Sequence, residues 1–409
     1  MKNWQKTISL YIVSQLITQF GTALVSYAIT WYITLNTQSG LMMTLAIIFS
    51  FLPTFLLSPF AGVWSDRYSR KKLILYGDLG VAFTTLILAI VFLTGYKEIW
   101  LLFLISAIRA LGSAIQMPAS SALIPQIVPE EKLTKVNGYM QSALSLMNII
   151  SPIAAAALLG LASFEAILFI DVGTAIIGMA FLVSLKIPLH HNAKAAKIRS
   201  YFQDIKDGLA YLRCKGYLLR LFLFFAFFYF VVSPAAFLTP LQVVRSFGTE
   251  LYRLTAVEIA FFLGMVAGGV LIANWGGFKN KIHTLIFSIL ISGVLCILQG
   301  TIRNFTIFLI VIFLIGISVA IFNTPTTVFL QERVSEDYYG RVFGILNSLM
   351  SSMFPLGILL FGPLGDLIPI ETILVINGFI LILEGFSMFR DRELLRVGQE
   401  GVKDGKSCK

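Results

Sequence analysis

Charged residues are scarce in this 409-residue chain, at 13% of the total against roughly 25% in an ordinary soluble domain. Cysteine and histidine are rarer still, with three residues of each. The cysteines offer no C-x-x-C pair and the histidines no metal-ligand spacing. The shortage of charge argues against a soluble protein, and the scattered cysteines and histidines exclude a soft-metal site.

Long apolar segments fill most of the chain, and 57% of all residues are hydrophobic. Twelve segments can be recognised, at about residues 8–35, 41–64, 73–95, 99–126, 137–161, 165–185, 221–244, 254–275, 282–302, 304–328, 342–364 and 371–389. Each is close to the ~20 residues that a helix needs to cross a bilayer. Spans of a β-barrel would be shorter and strictly alternating. The sequence therefore predicts an all-α membrane protein.

Basic residues follow the apolar segments in a regular way. Counted from the N-terminus, every second gap is rich in Lys and Arg, and these gaps hold 26 of the 31 basic residues. Lys and Arg stay on the cytoplasmic side of membrane helices. We therefore expect a multi-pass membrane protein with both termini in the cytoplasm. The net charge of +10 then reflects topology and contact with anionic lipid, not nucleic acid.

The longest internal gap divides the segments six and six. This division predicts an N-terminal half at 1–185, a cytoplasmic linker at 186–220, a C-terminal half at 221–389 and a cytoplasmic tail at 390–409. In the linker, Ser200 to Gln203 matches a capping box. An apolar stripe at helical spacing follows, which predicts an amphipathic surface helix. The stripe consists of Tyr201, Ile205, Leu209 and Leu212.

The two halves resemble each other. The segment 128–138 aligns with the segment 334–344 at an offset of 206 residues, and both lie between the fourth and fifth helix of their half. Pro118 and Pro325 take similar places before it. A parallel repeat of six helices is typical of transporters whose substrate site lies where the halves meet.

A mixed-charge motif links the second and third segments. It reads Gly62-x-x-x-Asp66-Arg67-x-x-Arg70-Lys71, and Asp66 and Arg70 could pair if both were helical. A positive-inside loop that happens to contain an aspartate is the alternative. The motif resembles G-x-x-x-D-R-x-x-R-K, the signature of the major facilitator superfamily. That resemblance implies two six-helix halves and a gating role, with Asp66 bridging to Arg341 on the cytoplasmic side.

A charged residue inside the fourth segment extends the resemblance. Arg109 begins an R-x-x-x-x-G-like pattern that, in this superfamily, belongs to proton-coupled drug exporters. A charge at that depth is costly and usually marks a pathway or a paired site; an arginine that only locks helices together is the alternative. These exporters also share a G-P-x-x-G pattern in the fifth helix, of which this sequence has the proline but not the glycines. This departure leaves the direction of transport open. In general the sequence most resembles the macrolide-efflux branch of Gram-positive bacteria, which implies a location in the bacterial plasma membrane.

Two acids could act with Arg109 in proton coupling. Asp171 lies about 9 Å below the outer surface and Asp78 about 8 Å above the inner one, from the helical rise. Arg109 is closer in depth to Asp171, so we expect these two to interact directly or through water. Glu258 follows Thr255 in a capping-box pattern and is interpreted as a helix cap. Glu384 is expected to reach towards the inner surface.

Polar residues in other segments are candidates for the cargo cavity. Gln15 and Gln19 lie on one face of the first helix, and the resemblance implies that helices 1, 4, 7 and 10 line the cavity. Gln116 and Asn323 are then further candidate contacts. Hydrogen bonds between helices are an equal alternative for all four residues.

The energy source follows from what the chain lacks. The tail sequence Gly401 to Ser407 is one residue short of a phosphate-binding loop and follows no strand. No nucleophile–base pair or cofactor loop supports an enzyme. The energy must then come from an ion gradient. Taken with the resemblance, this predicts a monomeric, cofactor-free, proton-driven exporter of small hydrophobic drugs, with macrolides as the cargo that the resemblance suggests. The alternatives are the same fold with another cargo, such as tetracycline, a siderophore or a metabolite, and a membrane scaffold without transport.

Overall fold

The computed structural model describes residues 4–185, 187, 209–335 and 338–399. Over these ranges every regular element is helical. Twelve helices are long and apolar enough to span a membrane, which confirms the predicted all-α membrane fold. A bilayer leaves few other solutions, because a helix satisfies its own backbone hydrogen bonds in a solvent that offers none.

Six helices make up the N-terminal part of the chain. They are α1 (Trp4–Thr37), α2 (Gly40–Arg67), α3 (Arg70–Leu93), α4 (Ile99–Ile127), α5 (Glu130–Leu161) and α6 (Phe164–Ser184). The turns between them are short, so successive helices run antiparallel. Helices α1 and α2 extend beyond the predicted segments at both ends, because polar residues outside the apolar run also take helical conformation.

In the described C-terminal part of the chain, eight helices follow the helical stretch at residues 209–214. They are α7 (Gly216–Phe237), α8 (Thr239–Ser246), α9 (Leu251–Trp275), α10 (Lys281–Thr301), α11 (Phe305–Arg333), α12 (Tyr339–Leu367), α13 (Ile370–Arg390) and α14 (Arg392–Gln399). The first two form a single span that is interrupted at Leu238. Gly276 ends α9 with φ of 73°, a left-handed conformation that glycine adopts without strain.

The described residues form two compact units. The first contains α1 and α3–α6 with α2 from Leu45 onward, and the second contains α7–α14 together with the segment Gln38–Thr44. That segment is fixed inside the second unit by Asp366. Its carboxylate accepts hydrogen bonds from the backbone N–H groups of Gly40 and Leu41 at 2.7 and 2.9 Å, and from Arg245 at 2.7 Å.

Small residues set the helix packing inside each unit. In the first unit, a Cβ placed on Gly112 of α4 would lie 3.0 Å from the carbonyl oxygen of Gly77 in α3. In the second, a Cβ on Gly268 would lie 2.7 Å from Cα of Ile317, and one on Gly264 would meet the backbone of the same partner helix. Close backbone approach at small residues is a main source of helix association in membranes. Gly264 and Gly268, four residues apart on α9, thus form a packing pair.

Both units use the same helix pairs. Contacts of α1 with α5 and α6, and of α3 with α4 and α6, recur as contacts of α7 with α12 and α13, and of α10 with α11 and α13. Moreover, α4 and α11 begin 206 residues apart and end 206 residues apart, as do α6 and α13. The offset seen in one loop of the sequence therefore extends through two helices of each unit.

The linker and the tail differ from their predicted forms. Helix α7 begins at Gly216, before the predicted start at residue 221. Most of the predicted surface helix, up to residue 208, lies outside the described residues; residues 209–214 are helical, with Leu212 buried and Leu209 exposed. The stretch predicted as a tail begins with α14, whose Leu394 is buried and whose Leu395 carbonyl accepts a hydrogen bond from Asn280 at 2.8 Å.

Candidate functional site

The first unit encloses a buried ion pair. Arg109 of α4 lies 2.5 Å from the Asp171 carboxylate of α6, and their side chains are only 6% and 1% exposed. Thr85 of α3 donates to the same carboxylate oxygen at 3.0 Å and also accepts a hydrogen bond from Arg109. The predicted interaction of Arg109 with Asp171 is direct, and three helices contribute to it.

Close packing around the pair holds it in place. Gly21 of α1 lies against Asp171, so that a Cβ at this glycine would meet the Asp171 and Thr174 side chains. The second guanidinium nitrogen of Arg109 donates to the Thr22 carbonyl at 3.4 Å. The arginine charge is therefore neutralised by one carboxylate and two polar groups in a region that excludes lipid and bulk water.

Asp78 lies apart from this pair. It is on the same helix as Thr85 but seven residues away, about 10.5 Å of helical rise. Its side chain is buried, and one of its carboxylate oxygens has no hydrogen-bond partner among the described residues. Of the three residues predicted for proton coupling, the structure brings two together, and a role for Asp78 stays a prediction.

Three of the predicted cargo residues form one hydrogen-bond chain between α1 and α4. Gln19 donates to Gln116 at 3.3 Å, and Gln116 donates to Gln15 at 3.4 Å. Ser120 also donates to Gln15 and contacts the hydroxyl of Tyr11 at 2.6 Å. These hydrogen bonds link α1 to α4, which is what the alternative interpretation of these residues as interhelical hydrogen-bond partners predicts. Contact of the same residues with cargo stays a prediction.

The basic residues of the Gly62–Lys72 motif cover helix ends. Arg70 donates to the carbonyls of Ser65 and Ala122 at 3.3 and 2.8 Å. Lys71 donates to two carbonyls at the end of α6, those of Val183 at 2.8 Å and Leu185 at 2.7 Å. Cations at the C-terminal end of a helix satisfy its free carbonyls and oppose its dipole.

The acidic member of the motif is less well defined. Helix α2 ends at Arg67 and α3 begins at Arg70, so Asp66 and Arg70 do not share a helix. The side chain of Asp66 lies outside the described part of the chain, and Arg341 stacks on Tyr338 at 5.3 Å. The predicted bridge from Asp66 to Arg341, and the gating role of Gly62 and Arg67, stay predictions.

The second unit contains a cavity of about 380 Å³. Asn323 of α11 lies on its wall and accepts a hydrogen bond from the Tyr229 hydroxyl at 3.3 Å. Glu258 of α9 lies on the wall as well. Interpreting Glu258 as a helix cap was wrong, because α9 begins at Leu251 and Thr255 donates back to the Leu251 carbonyl at 3.1 Å instead.

Two further acids, Glu384 and Glu165, lie in spanning helices. Glu384 of α13 is buried, and neither of its carboxylate oxygens has a hydrogen-bond partner in the described ranges, so the expectation that it reaches the membrane surface was wrong. Glu165 at the start of α6 pairs with Lys97 at 2.6 Å. The hydrogen bond from Lys97 to this carboxylate, together with its charge, raises the pKa of Lys97.

Comparison with known proteins places the chain among transporters. It is 30% identical over 382 residues to macrolide efflux protein A of Streptococcus pyogenes, covering 93% of this chain and 94% of that protein. It is 31% identical over 322 residues to macrolide efflux protein A of Enterococcus faecalis, covering 78% and 99% respectively.

Solved structures share the fold at low sequence identity. A bacterial homologue of the human lysosomal transporter Spinster, in an inward-facing and unoccupied conformation, superposes with a TM-score of 0.70 at 13% identity, over 98% of this chain and 99% of that one. The family model of the Major Facilitator Superfamily matches residues 11–358 and 279–407. This agrees with the Gly62–Lys72 motif, the twelve spans and the repeated helix pairs, and the chain belongs to the Major Facilitator Superfamily.

Proposed function

We propose that this protein exports macrolide-type hydrophobic drugs across the bacterial plasma membrane in exchange for protons. The observation that carries the proposal is the 30% identity to macrolide efflux protein A, which extends over 93% of the chain and so includes both units. Membership of a transporter family implies transport rather than catalysis. Macrolide as the cargo, and the proton as the coupling ion, are the steps that experiment has to test.

The Arg109–Asp171 pair is the proposed proton site. Protonation of Asp171 removes the negative charge that Arg109 neutralises and leaves the guanidinium with only hydroxyl and carbonyl partners, Thr85 and Thr22. An unpaired charge in the membrane interior is costly. A proton on Asp171 therefore favours a second arrangement of α3, α4 and α6 in which Arg109 finds another partner, and loss of the proton restores the first.

The proposed cycle is alternating access by the two units about a central site. The distribution of basic residues supports a topology with both termini and the Gly62–Lys72 motif on the cytoplasmic side. In this cycle Asp66 bridges to Arg341 and holds the cytoplasmic side closed. The protein acts as a monomer in contact with lipid and needs no cofactor, since the proton gradient supplies the energy.

Drug accumulation in living cells tests the proposal. We expect a macrolide-sensitive host that expresses the chain to accumulate less erythromycin than the empty host, and a protonophore to remove the difference. The Asp171→Asn variant, present in the membrane at the same level, should behave like the empty host.

The possible outcomes test proton coupling and macrolide export separately. Low accumulation that persists when the gradient is collapsed would contradict proton coupling. Accumulation equal to that of the empty host, with the protein confirmed in the membrane, would contradict macrolide export and direct the search to other cargo.

A further inference from the structure

The cavity of the second unit has mostly apolar walls that include several aromatic rings. It lies among α7, α9, α10, α11 and α12, all within one compact unit. Six aromatic side chains line it: Phe228, Tyr229, Phe261, Phe262, Phe322 and Phe354. Phe322 is fixed between two of these rings, stacked on Phe228 at 4.4 Å and edge-on to Tyr229 at 5.8 Å. The walls are thus held in place by ring contacts.

Glu258 is the one charged side chain among the described residues that line the cavity. It lies seven residues into α9, about 10.5 Å from the first residue of the helix. No hydrogen bond or ion pair to its carboxylate is present in the described part of the chain. It is half-buried, so a molecule inside the cavity can reach it.

The acid inside the first unit, in contrast, has internal partners. There, Asp171 is matched by Arg109 and Thr85. At the offset of 206 residues, Arg109 corresponds to Ile315, which lies on the wall of this cavity. Asp171 corresponds to Asn377. In the described part of the second unit, an isoleucine thus stands at the position equivalent to Arg109, and a carboxylate lies on the cavity wall.

A carboxylate among aromatic rings is a suitable site for an organic cation. A protonated amine can donate a charge-assisted hydrogen bond to the carboxylate, while its alkyl groups and positive charge contact the ring faces. The volume lies at the small end of the range for ligand sites, so it accommodates the amine-bearing part of a large drug. A neutral ligand would leave Glu258 without a partner.

We propose that this cavity is a subsite for the protonated amine of a hydrophobic drug, with Glu258 as its counter-ion. The use of this subsite in export rests on the proposed function, whereas amine binding itself does not. The subsite narrows the cargo from hydrophobic molecules in general to hydrophobic amines. The amide of Asn323 and the hydroxyl of Tyr229, hydrogen-bonded to each other at 3.3 Å, are then available to polar groups beside the amine.

Equilibrium binding to the purified full-length protein in lipid nanodiscs tests the subsite. One probe is erythromycin, whose amino sugar carries a tertiary amine; the other is its N-demethyl-N-acetyl derivative, in which that nitrogen is a neutral amide. We expect the wild type to bind erythromycin about 10- to 100-fold more tightly than the amide, the ratio that one charge-assisted hydrogen bond gives. Glu258→Gln should bind both probes with the weaker affinity.

Glu384→Gln is the matched control, since it removes an acid from a span of the same unit outside this cavity, and it should keep the wild-type ratio. Equal affinity of the wild type for the two probes, or no erythromycin binding, would overturn the subsite. Equal loss of both probes in Glu258→Gln would show a structural defect and overturn it too. Normal binding ratios without export in cells would count against the proposed function alone.

Discussion

The Arg109–Asp171 pair allows its structural and functional roles to be separated by a double-mutant cycle. Asp171→Asn keeps the size of the side chain but leaves a guanidinium that is only 6% exposed without a counter-charge. Removing one partner of a buried ion pair costs about 3–5 kcal/mol. Arg109→Gln should cost a similar amount, because it leaves the Asp171 carboxylate, 1% exposed, with only the Thr85 hydroxyl.

The double variant should be more stable than the sum of the single effects. Two neutral amides can hydrogen-bond across the same gap, so neither group is left as an uncompensated charge. We expect an interaction energy of about 2–3 kcal/mol between the two sites, at the upper end for residues in contact. Denaturant unfolding of the purified protein in mixed micelles, followed by tryptophan fluorescence, measures all four free energies of unfolding.

The reasoning would be refuted if the single effects added within about 0.5 kcal/mol, the behaviour of independent sites. Export by the same four proteins then assigns the role. A double variant with recovered stability but no export shows that the charges work in transport. Recovered export would show that the pair only locks the helices together, which was the alternative interpretation of Arg109.

Three further predictions concern the scaffold. Gly268→Leu should lower the free energy of unfolding by several kcal/mol, since its Cβ would lie 2.7 Å from Cα of Ile317, whereas Gly269→Leu has open space and should have little effect. Asn304→Ala should cost about 1 kcal/mol, because the side chain caps the N–H groups of Thr306 and Ile307, and Asn304→Ser should recover most of it. Asp366→Asn should speed amide hydrogen exchange at Gly40 and Leu41, while Glu250→Gln, at an exposed pair, should not.

The membrane makes the fold of this chain easy to predict. Twelve apolar segments became twelve spans because an apolar stretch of that length has few alternatives in a bilayer. The depth of each residue in the membrane, counted from the helical rise, was also enough to pair Arg109 with Asp171, because few other charged side chains lie near that depth. Both inferences use position along one helix axis, which the sequence gives directly through the helical rise.

Features that depend on position around the helix axis were harder to predict. Glu258 was interpreted as a cap because the apolar pattern placed the start of the helix after Leu251. Four of the six aromatic residues that line its cavity come from other helices, distant in the chain. Helix α14 was missed because its apolar face is short and Leu394 becomes buried only through contact with other helices. Such contacts are visible only in three dimensions.

The location of the charges also constrains how proton and drug can be coupled. If Asp171 takes the proton and Glu258 binds the amine, the two ions do not compete for one carboxylate, because these residues lie in different units. Coupling must then pass through the conformational change, with each ligand favouring one arrangement. Asp171→Asn should accordingly block export while leaving the Glu258-dependent preference for erythromycin over its amide derivative intact. Loss of that preference in Asp171→Asn, in a protein that still binds the amide derivative normally, would instead show that the two charged sites act as one.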